Sequence, residues 1–563
     1  MKNQILHLIT AALLAVLPPL SAADAQPPSI AFETGPQGLV KFDFGGHVFL
    51  EKPERGKLAV TSITGPAIQQ TAAPLAKLVP TLVKPGVVGV TGDWGAVEVG
   101  YALRGTQFEA AVTVRNALDT PLDAVTVRLA QWTWPEGVKV ERGHTGPEAP
   151  SKGHPKNFLA DAEHGVPAFA IGFTSGALLF ALDDTGRAAI NGGSMTVREI
   201  PAKGMKTVKF IVRPGPPGSR LPVLAADLFA AYAKANPVTL NWPDRRPIGA
   251  IFIANPVRAK RDASHFSPPE NPAGWLGHTL DFDVRTPEGQ AEFRKRLLAF
   301  ADQNIKGLRA MNAQGMIVWD IEGQRPGATY YGDPRALDGM LPRNHGDAQP
   351  HPELAIAPEM ISPEGGVPVV DLFFKKFTDA GFLAGVCLRP QHLKRHVRAA
   401  DGVVIYTNQD APATEERIAL LDAKIAYCKQ RWGVRLFYVD SDLQVEARDY
   451  RALAAKHPDV LLIPEWANEP RYWASTAPFQ SAQHFGPHEA RTATNIRALY
   501  PKGFCVTAAG GLAAMDDAKL EPYREGQRGG DILLINAWTG ERDHVRAREL
   551  YEEGRKGAPA AKR

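Results

Sequence analysis

Three apolar runs in this chain stop on carboxylates. LFYVDSD (436–442) ends on Asp440 and Asp442, IVWDIEG (317–323) passes through Asp320 and Glu322, and LLIPEW (461–466) meets Glu465. Residues two apart share a face of an extended chain, so Asp440 and Asp442 leave their strand on the same side. Other apolar runs close on Asn255, on Arg389 with Gln391, and on Asn536 with Trp538, while Trp319 and Trp466 flank the acids. Taken singly, an acid at a strand end is most often a loop or helix cap. As a set, these residues suit a sugar, whose C–H faces stack on indole rings and whose hydroxyls want carboxylate and amide partners. Cleaving a glycosidic bond needs two carboxyl groups, one protonated toward the leaving oxygen and one ionised. Crowded carboxylates push their pKa values apart, which creates that division of labour. On this reading Asp440 is the nucleophile or base and Glu465 the general acid. Asp320, Glu322, Arg389, Asp442, Trp319, Trp466 and Trp538 are then the substrate contacts.

Residues drawn from separate strands meet only if the strands deliver them to one face. From about residue 248 the chain alternates short apolar runs with amphipathic stretches: GAIFIAN, MIVWDIEG, LAGVCLRPQ, LFYVDSD, VLLIPEW, FCVTAAGG and DILLINAW are the runs. This order predicts an eight-fold β/α barrel, a TIM-type architecture whose active site is built from the loops after the strands. The sixth strand must lie within 471–485, near STAPFQSA, and VVIYTN (403–408) reads as an excursion from the third loop. Pro256–Thr286 and Gly323–Val369 are long loops on the expected face, the kind that wall or cover a site. Thr286 and Pro287 read as a helix start. Ile418, Leu421, Ile425 and Cys428 keep helical spacing up to a stop at Gly433, and a later helix is expected near 512–524.

Before the barrel, residues 26–218 alternate strand-like runs with Gly, Asn, Asp and Pro turns, which predicts an antiparallel β-sandwich. LPVLAADLFAAYAKANP (221–237) reads as one amphipathic helix within a linker over 219–246. The barrel then spans 247–556, and 557–563 is a tail. The expected fold class is multidomain: an N-terminal antiparallel β-sandwich followed by a (β/α)8 barrel.

With FYVDSD at the end of the fourth strand and a sandwich ahead of the barrel, the chain resembles bacterial glycoside hydrolases of the α-galactosidase and α-glucosidase type. That resemblance implies an aspartate nucleophile at the end of strand 4, here Asp440 or Asp442. It also implies an acid/base aspartate after strand 6, where this chain has no Asp; Glu465 after strand 5 is the nearest substitute, with Glu322 behind it. The clan with glutamates after strands 4 and 7 fits less well, because FCVTAAGG has no Glu. The alternative reading is a non-catalytic carbohydrate-binding protein on a glycosidase-like barrel. A metal-dependent deacetylase is a third.

The 563 residues carry a formal charge of only +4 and no Lys/Arg block, so nucleic acid is not an expected partner. Residues 1–25 have Lys2, an apolar stretch over 5–20 and an Ala23-Asp24-Ala25 cleavage pattern, which predicts a signal peptide and a secreted or periplasmic protein without a membrane span. Cys387, Cys428 and Cys505 are an odd count and read as small buried hydrophobes. His392 and His396 in QHLKRH would make a ligand pair only on a helix. His345, Asp347 and His351 are a loose loop group. No Gly-rich phosphate motif leads into a helix, and no cofactor or metal is expected.

Overall fold

The computed structural model describes residues 29–142, 145–148, 159–161, 165–253, 286–319, 321–322, 332–338, 358–397, 404–410, 414–440, 445–465, 469–481, 495–537 and 540–557. The expected signal peptide, Asn255, Asp320, Asp442, Trp466, Trp538, the His345–His351 group and the C-terminal tail lie outside them, as do most of the two long loops.

The N-terminal half is built of antiparallel sheets of three, six and nine strands. Gly95–Arg104 and Gln107–Asn116 show the cause: buried and half-buried residues alternate along both, so one face of each strand enters a core. Val97, Val99, Val112, Val114 and Phe210 of the nine-stranded sheet meet Val60, Ile63, Val125 and Val197 of the six-stranded sheet in that core. This is the sandwich.

The C-terminal half holds eight parallel strands: β1 (Ile248–Phe252), β2 (Gly315–Trp319), β3 (Gly385–Leu388), β4 (Leu436–Val439), β5 (Leu461–Pro464), β6 (Phe479–Ser481), β7 (Val506–Ala509) and β8 (Ile532–Asn536). Their order is β5-β4-β3-β2-β1-β8-β7-β6, which is sequential around a barrel with its joint between β5 and β6. Among the described residues no strand ladder closes that joint, but the Ala477 amide donates to the Leu462 carbonyl at 3.0 Å and brings the segment before β6 onto β5. β6 falls inside STAPFQSA, and Val404–Asp410 pairs antiparallel with Gln391–Val397 in a hairpin outside the barrel sheet, an excursion from the third loop.

Helices α1 (Pro287–Ala310), α2 (Val369–Asp379), α3 (Thr414–Trp432), α4 (Ala447–Lys456), α5 (Asp517–Arg528) and α6 (Glu541–Gly557) alternate with the strands. The Thr286 hydroxyl accepts from the Gly289 amide at 3.0 Å, with Pro287 beginning α1. Strands β1 to β5 and β8 are buried on both sides almost to their ends, so their runs are apolar and split by parity. Ile251, Val318, Val386, Phe437 and Leu462 pack outward against Phe293, Phe373, Leu421 and Leu453 of the helices. Ile248, Ile317, Cys387, Leu436, Tyr438 and Ile463 fill the barrel interior. Among the described residues, no helix is long and apolar enough to cross a membrane.

Two details differ from expectation. The connector is two helices, Leu221–Leu224 and Ala226–Ala235, with Ala225 at φ −108°, ψ 19° between them. The helix expected near 512–524 begins later, at Asp517, where the Asp516 side chain caps the Lys519 amide after a short 3-10 turn.

The halves share a third core, in which Ala168, Leu179 and Ile211 of the sandwich and Leu221, Phe229 and Tyr232 of the connector bury against Trp473, Leu499 and Tyr500. Glu141, 4% exposed, is its polar centre. It accepts from the Arg220 guanidinium (2.6 and 2.9 Å), the Leu221 amide (2.9 Å) and the Asn495 side-chain amide (2.9 Å). A buried carboxylate satisfied from two other chain segments, 220–221 and 495, fixes the domains' mutual register.

Candidate active site

Cys387 pairs with Tyr438, and Tyr438 with Ile463, in the ladders of β3, β4 and β5, and all three point inward. The next inward-pointing positions, two residues on, are Arg389, Asp440 and Glu465. The ladder still holds there: the Asp440 amide donates to Leu388 O at 2.9 Å and the Glu465 amide to Val439 O at 3.0 Å. Neighbouring strands lie about 4.8 Å apart, so these three side chains form one layer across three adjacent strands at the barrel mouth.

Beneath them is an aromatic floor. Trp319 stacks on Phe252 with centroids 4.7 Å apart and planes at 16°. It leans on Tyr438 at 4.9 Å, and Tyr438 meets Phe479 edge-on at 5.2 Å. The floor comes from the last inward residues of β1, β2 and β4 with the first of β6.

The Arg389 guanidinium donates to Asp440 Oδ2 in a short contact, with side chains 11% and 16% exposed. Such charge-assisted bonds are strong where water is scarce. Tyr438 hydrogen-bonds Glu465. Burial first, then the negative charges of Glu465 and Asp440, hold the Tyr438 phenol well above its ordinary pKa. It therefore stays protonated and donates to the carboxylate above it.

A second polar cluster lies behind this layer, against α3. Lys424 is fully buried, and its ammonium donates to the carbonyls of Arg389 (2.7 Å), Gln391 (3.0 Å) and Gly332 (3.3 Å). Asp333 lies 3.5 Å from Lys424 and pairs with Arg335 at 2.8 Å. Burial lowers the Lys424 pKa to about 8, partly offset by Asp333. For Asp333, burial acts upward, but Lys424 and Arg335 outweigh it and hold the carboxyl below its ordinary value.

Glu322 belongs with this rear cluster. β2 ends at Trp319, the chain turns at Ile321 and Glu322, and Glu322 is 1% exposed among Asp333, Lys424 and Cys428. Burial raises its pKa to about 7, with Asp333 adding to the rise. Backbone amides of Glu322 and Asp333 ease the rise without meeting hydrogen-bond geometry.

Of the expected site residues, the structure brings together Arg389, Asp440 and Glu465 over Trp319. It puts Glu322 behind them. QHLKRH is strand, so His392 and His396 do not share a helical face; His392 Nε2 instead meets Glu416 at 2.8 Å. Among the described residues, no group of three His, Cys, Asp or Glu side chains is gathered as a metal would require. The three cysteines are buried, and no disulfide links them. Sequence reasoning missed Tyr438, Asp333 and Lys424. Lys424 did leave a signal: it interrupts the apolar stripe of Leu421, Ile425 and Cys428, where a charge has no reason to be unless something inside receives it.

No family model matches the chain, and no curated protein matches it. Among solved structures, the chain is similar to an α-N-acetylgalactosaminidase from Bifidobacterium bifidum at 11% identity and TM-score 0.46, covering 94% of this chain and 92% of that one. A GH31 family sulfoquinovosidase from E. rectale aligns at 11% and 0.44, over 93% and 82%. A GH36 α-galactosidase from Geobacillus stearothermophilus aligns at 10% and 0.43, over 91% and 78%. These similar structures are glycoside hydrolases. Likeness this distant carries no functional argument, and the reading that follows stands on the residues at the barrel mouth.

Proposed function

We propose that the protein is an exported glycoside hydrolase that cleaves O-glycosidic bonds of oligo- or polysaccharides at the C-terminal face of its barrel. The observation that carries this reading is the single inward layer of Arg389, Asp440 and Glu465 above an aromatic floor. Asp440 serves as nucleophile or base and Glu465 as general acid. Tyr438 orients Glu465 from below, and Arg389 orients Asp440 from the side. Asp320, Asp442, Trp466 and Trp538, next to the same strand ends in sequence, complete the sugar contacts with Trp319. Export rests on the leader-like pattern of residues 1–25.

The test is hydrolysis of a panel of 4-nitrophenyl α- and β-glycosides by wild type, Asp440→Asn and Glu465→Gln, with circular dichroism as a check on folding. Both variants should lose at least ~10³-fold in kcat/KM. Wild-type activity in a folded Asp440→Asn protein would sink the assignment.

One observation favours a second reading: Asp440 is held by Arg389, and Glu465 by Tyr438, so both carboxylates have protein partners. A carbohydrate-binding protein would need nothing more. Calorimetric binding of oligosaccharides, with no turnover of any glycoside, would decide for it.

A further inference from the structure

The backbone of Arg389 is held from both sides. Its amide donates to Gly332 O at 3.1 Å, and its carbonyl accepts from Lys424 at 2.7 Å. Lys424 also takes Gly332 O and Gln391 O, so one ammonium ties the loop after β2 to both flanks of Arg389. Gly332 is at φ +52°, and a Cβ there would stand 2.8 Å from Arg389 Cγ and 3.0 Å from Arg389 N. The crossing is therefore as close as two backbones allow. The same loop is pinned further along: Asp338 accepts from Tyr427 at 2.5 Å and from Arg431 at 2.7 Å, both on α3.

Although Asp333 balances the ammonium at 3.5 Å and keeps Arg335 as a second partner, packing on α3 does not itself call for a charge at position 424. Its neighbours on the α3 stripe are Leu421, Ile425 and Cys428, all fully buried, and an unbranched apolar side chain would fill the same volume. What the ammonium provides is three donors converging on three carbonyls, two just past β3 and one on the loop after β2. A bond fixed at that point sets where the Arg389 side chain leaves the strand, and hence which carboxylate oxygen its guanidinium meets.

We propose that Lys424 is a positioning residue: through the backbone of Arg389, it holds the guanidinium on Asp440 and so fixes that carboxylate in the catalytic layer. The role in turnover rests on the glycosidase reading; the role in holding Arg389 does not. Loss of such a support, by roughly an ångström of misplacement, costs turnover more than binding.

The experiment has two arms. Crystal structures of the full chain, wild type and Lys424→Met, show whether Arg389 still contacts Asp440; the expected result is loss of the contact in a barrel otherwise unchanged. An Arg389 still seated on Asp440 in the variant overturns the proposal. In the kinetic arm, Lys424→Met, Arg389→Met and the double variant are assayed on the best 4-nitrophenyl glycoside. Each single change should lower kcat about tenfold or more with KM within about twofold, and the double should be no worse than Arg389→Met alone. Effects that multiply in the double variant overturn action through Arg389. If wild type hydrolyses no glycoside, the glycosidase reading fails and the crystallographic arm alone decides the positioning. If Lys424→Met does not fold, Lys424→Gln, uncharged but polar, answers the same structural question.

Discussion

Glu322→Gln should stabilise this protein, and only at high pH. The Glu322 carboxyl is 1% exposed and makes no hydrogen bond among the described residues, and burial raises its pKa from 4.5 to about 7. Below pH 4.5 the group is protonated in both folded and unfolded chains and its ionisation has no effect. Between 4.5 and 7 the unfolded chain releases a proton that the folded chain keeps, so stability falls as pH rises, by about 1.4 kcal/mol per unit. Above pH 7 the loss is complete, at about 3 kcal/mol for the full difference. Glutamine has the same shape and no charge at any pH, so it escapes the loss. Urea unfolding at pH 5, 6, 7 and 8.5 would show the two proteins close at pH 5. By pH 8.5 the variant should lead by about 3 kcal/mol, or about 3–5 °C in a thermal scan. A difference independent of pH would refute the reasoning. So would a variant weaker than wild type at pH 8.5, since that would mean the ionised carboxylate is wanted where it lies.

Gly332→Ala forces a left-handed residue and a contact onto Arg389. It should cost about 2 kcal/mol, read as a fall of about 2–3 °C in Tm, and should lower turnover in step with Lys424→Met. Glu141→Ala removes the acceptor shared by Arg220, Leu221 and Asn495; because the Arg220 side chain is 44% exposed, the loss should be about 2 kcal/mol rather than that of a wholly buried pair. The readout is limited proteolysis, with a new tryptic cut after Arg220 if the domain seam loosens, and unchanged fragments if it does not.

The barrel was legible because parallel strands buried on both faces are written as unbroken apolar runs. β1 to β5, β7 and β8 announce themselves this way, whereas β6 is Phe479–Ser481, three residues with too little pattern to stand out. Parity explains the site. Asp440 and Glu465 sit two residues beyond the inward Tyr438 and Ile463, so a strand running straight delivers them inward. Glu322 misled because β2 does not run straight past Trp319: the chain turns, and the acid goes to the rear. Lys424 stood out as a charge on an apolar stripe, but what receives it was beyond reach for a different reason. Its partners lie 92, 35 and 33 positions away in sequence, and only the closed barrel brings their carbonyls together.

The joint between β5 and β6 gives the N-terminal half a job. Where the strand ladder lapses, the amides of Thr239 and Leu240, just past the connector, both donate to Ala474 O, at 2.6 and 3.2 Å. Trp473 beside it is sealed under the sandwich and connector. The sandwich, the connector and the residues just past it therefore act as the hoop on a stave barrel, bracing the joint at which, among the described residues, no strand ladder runs.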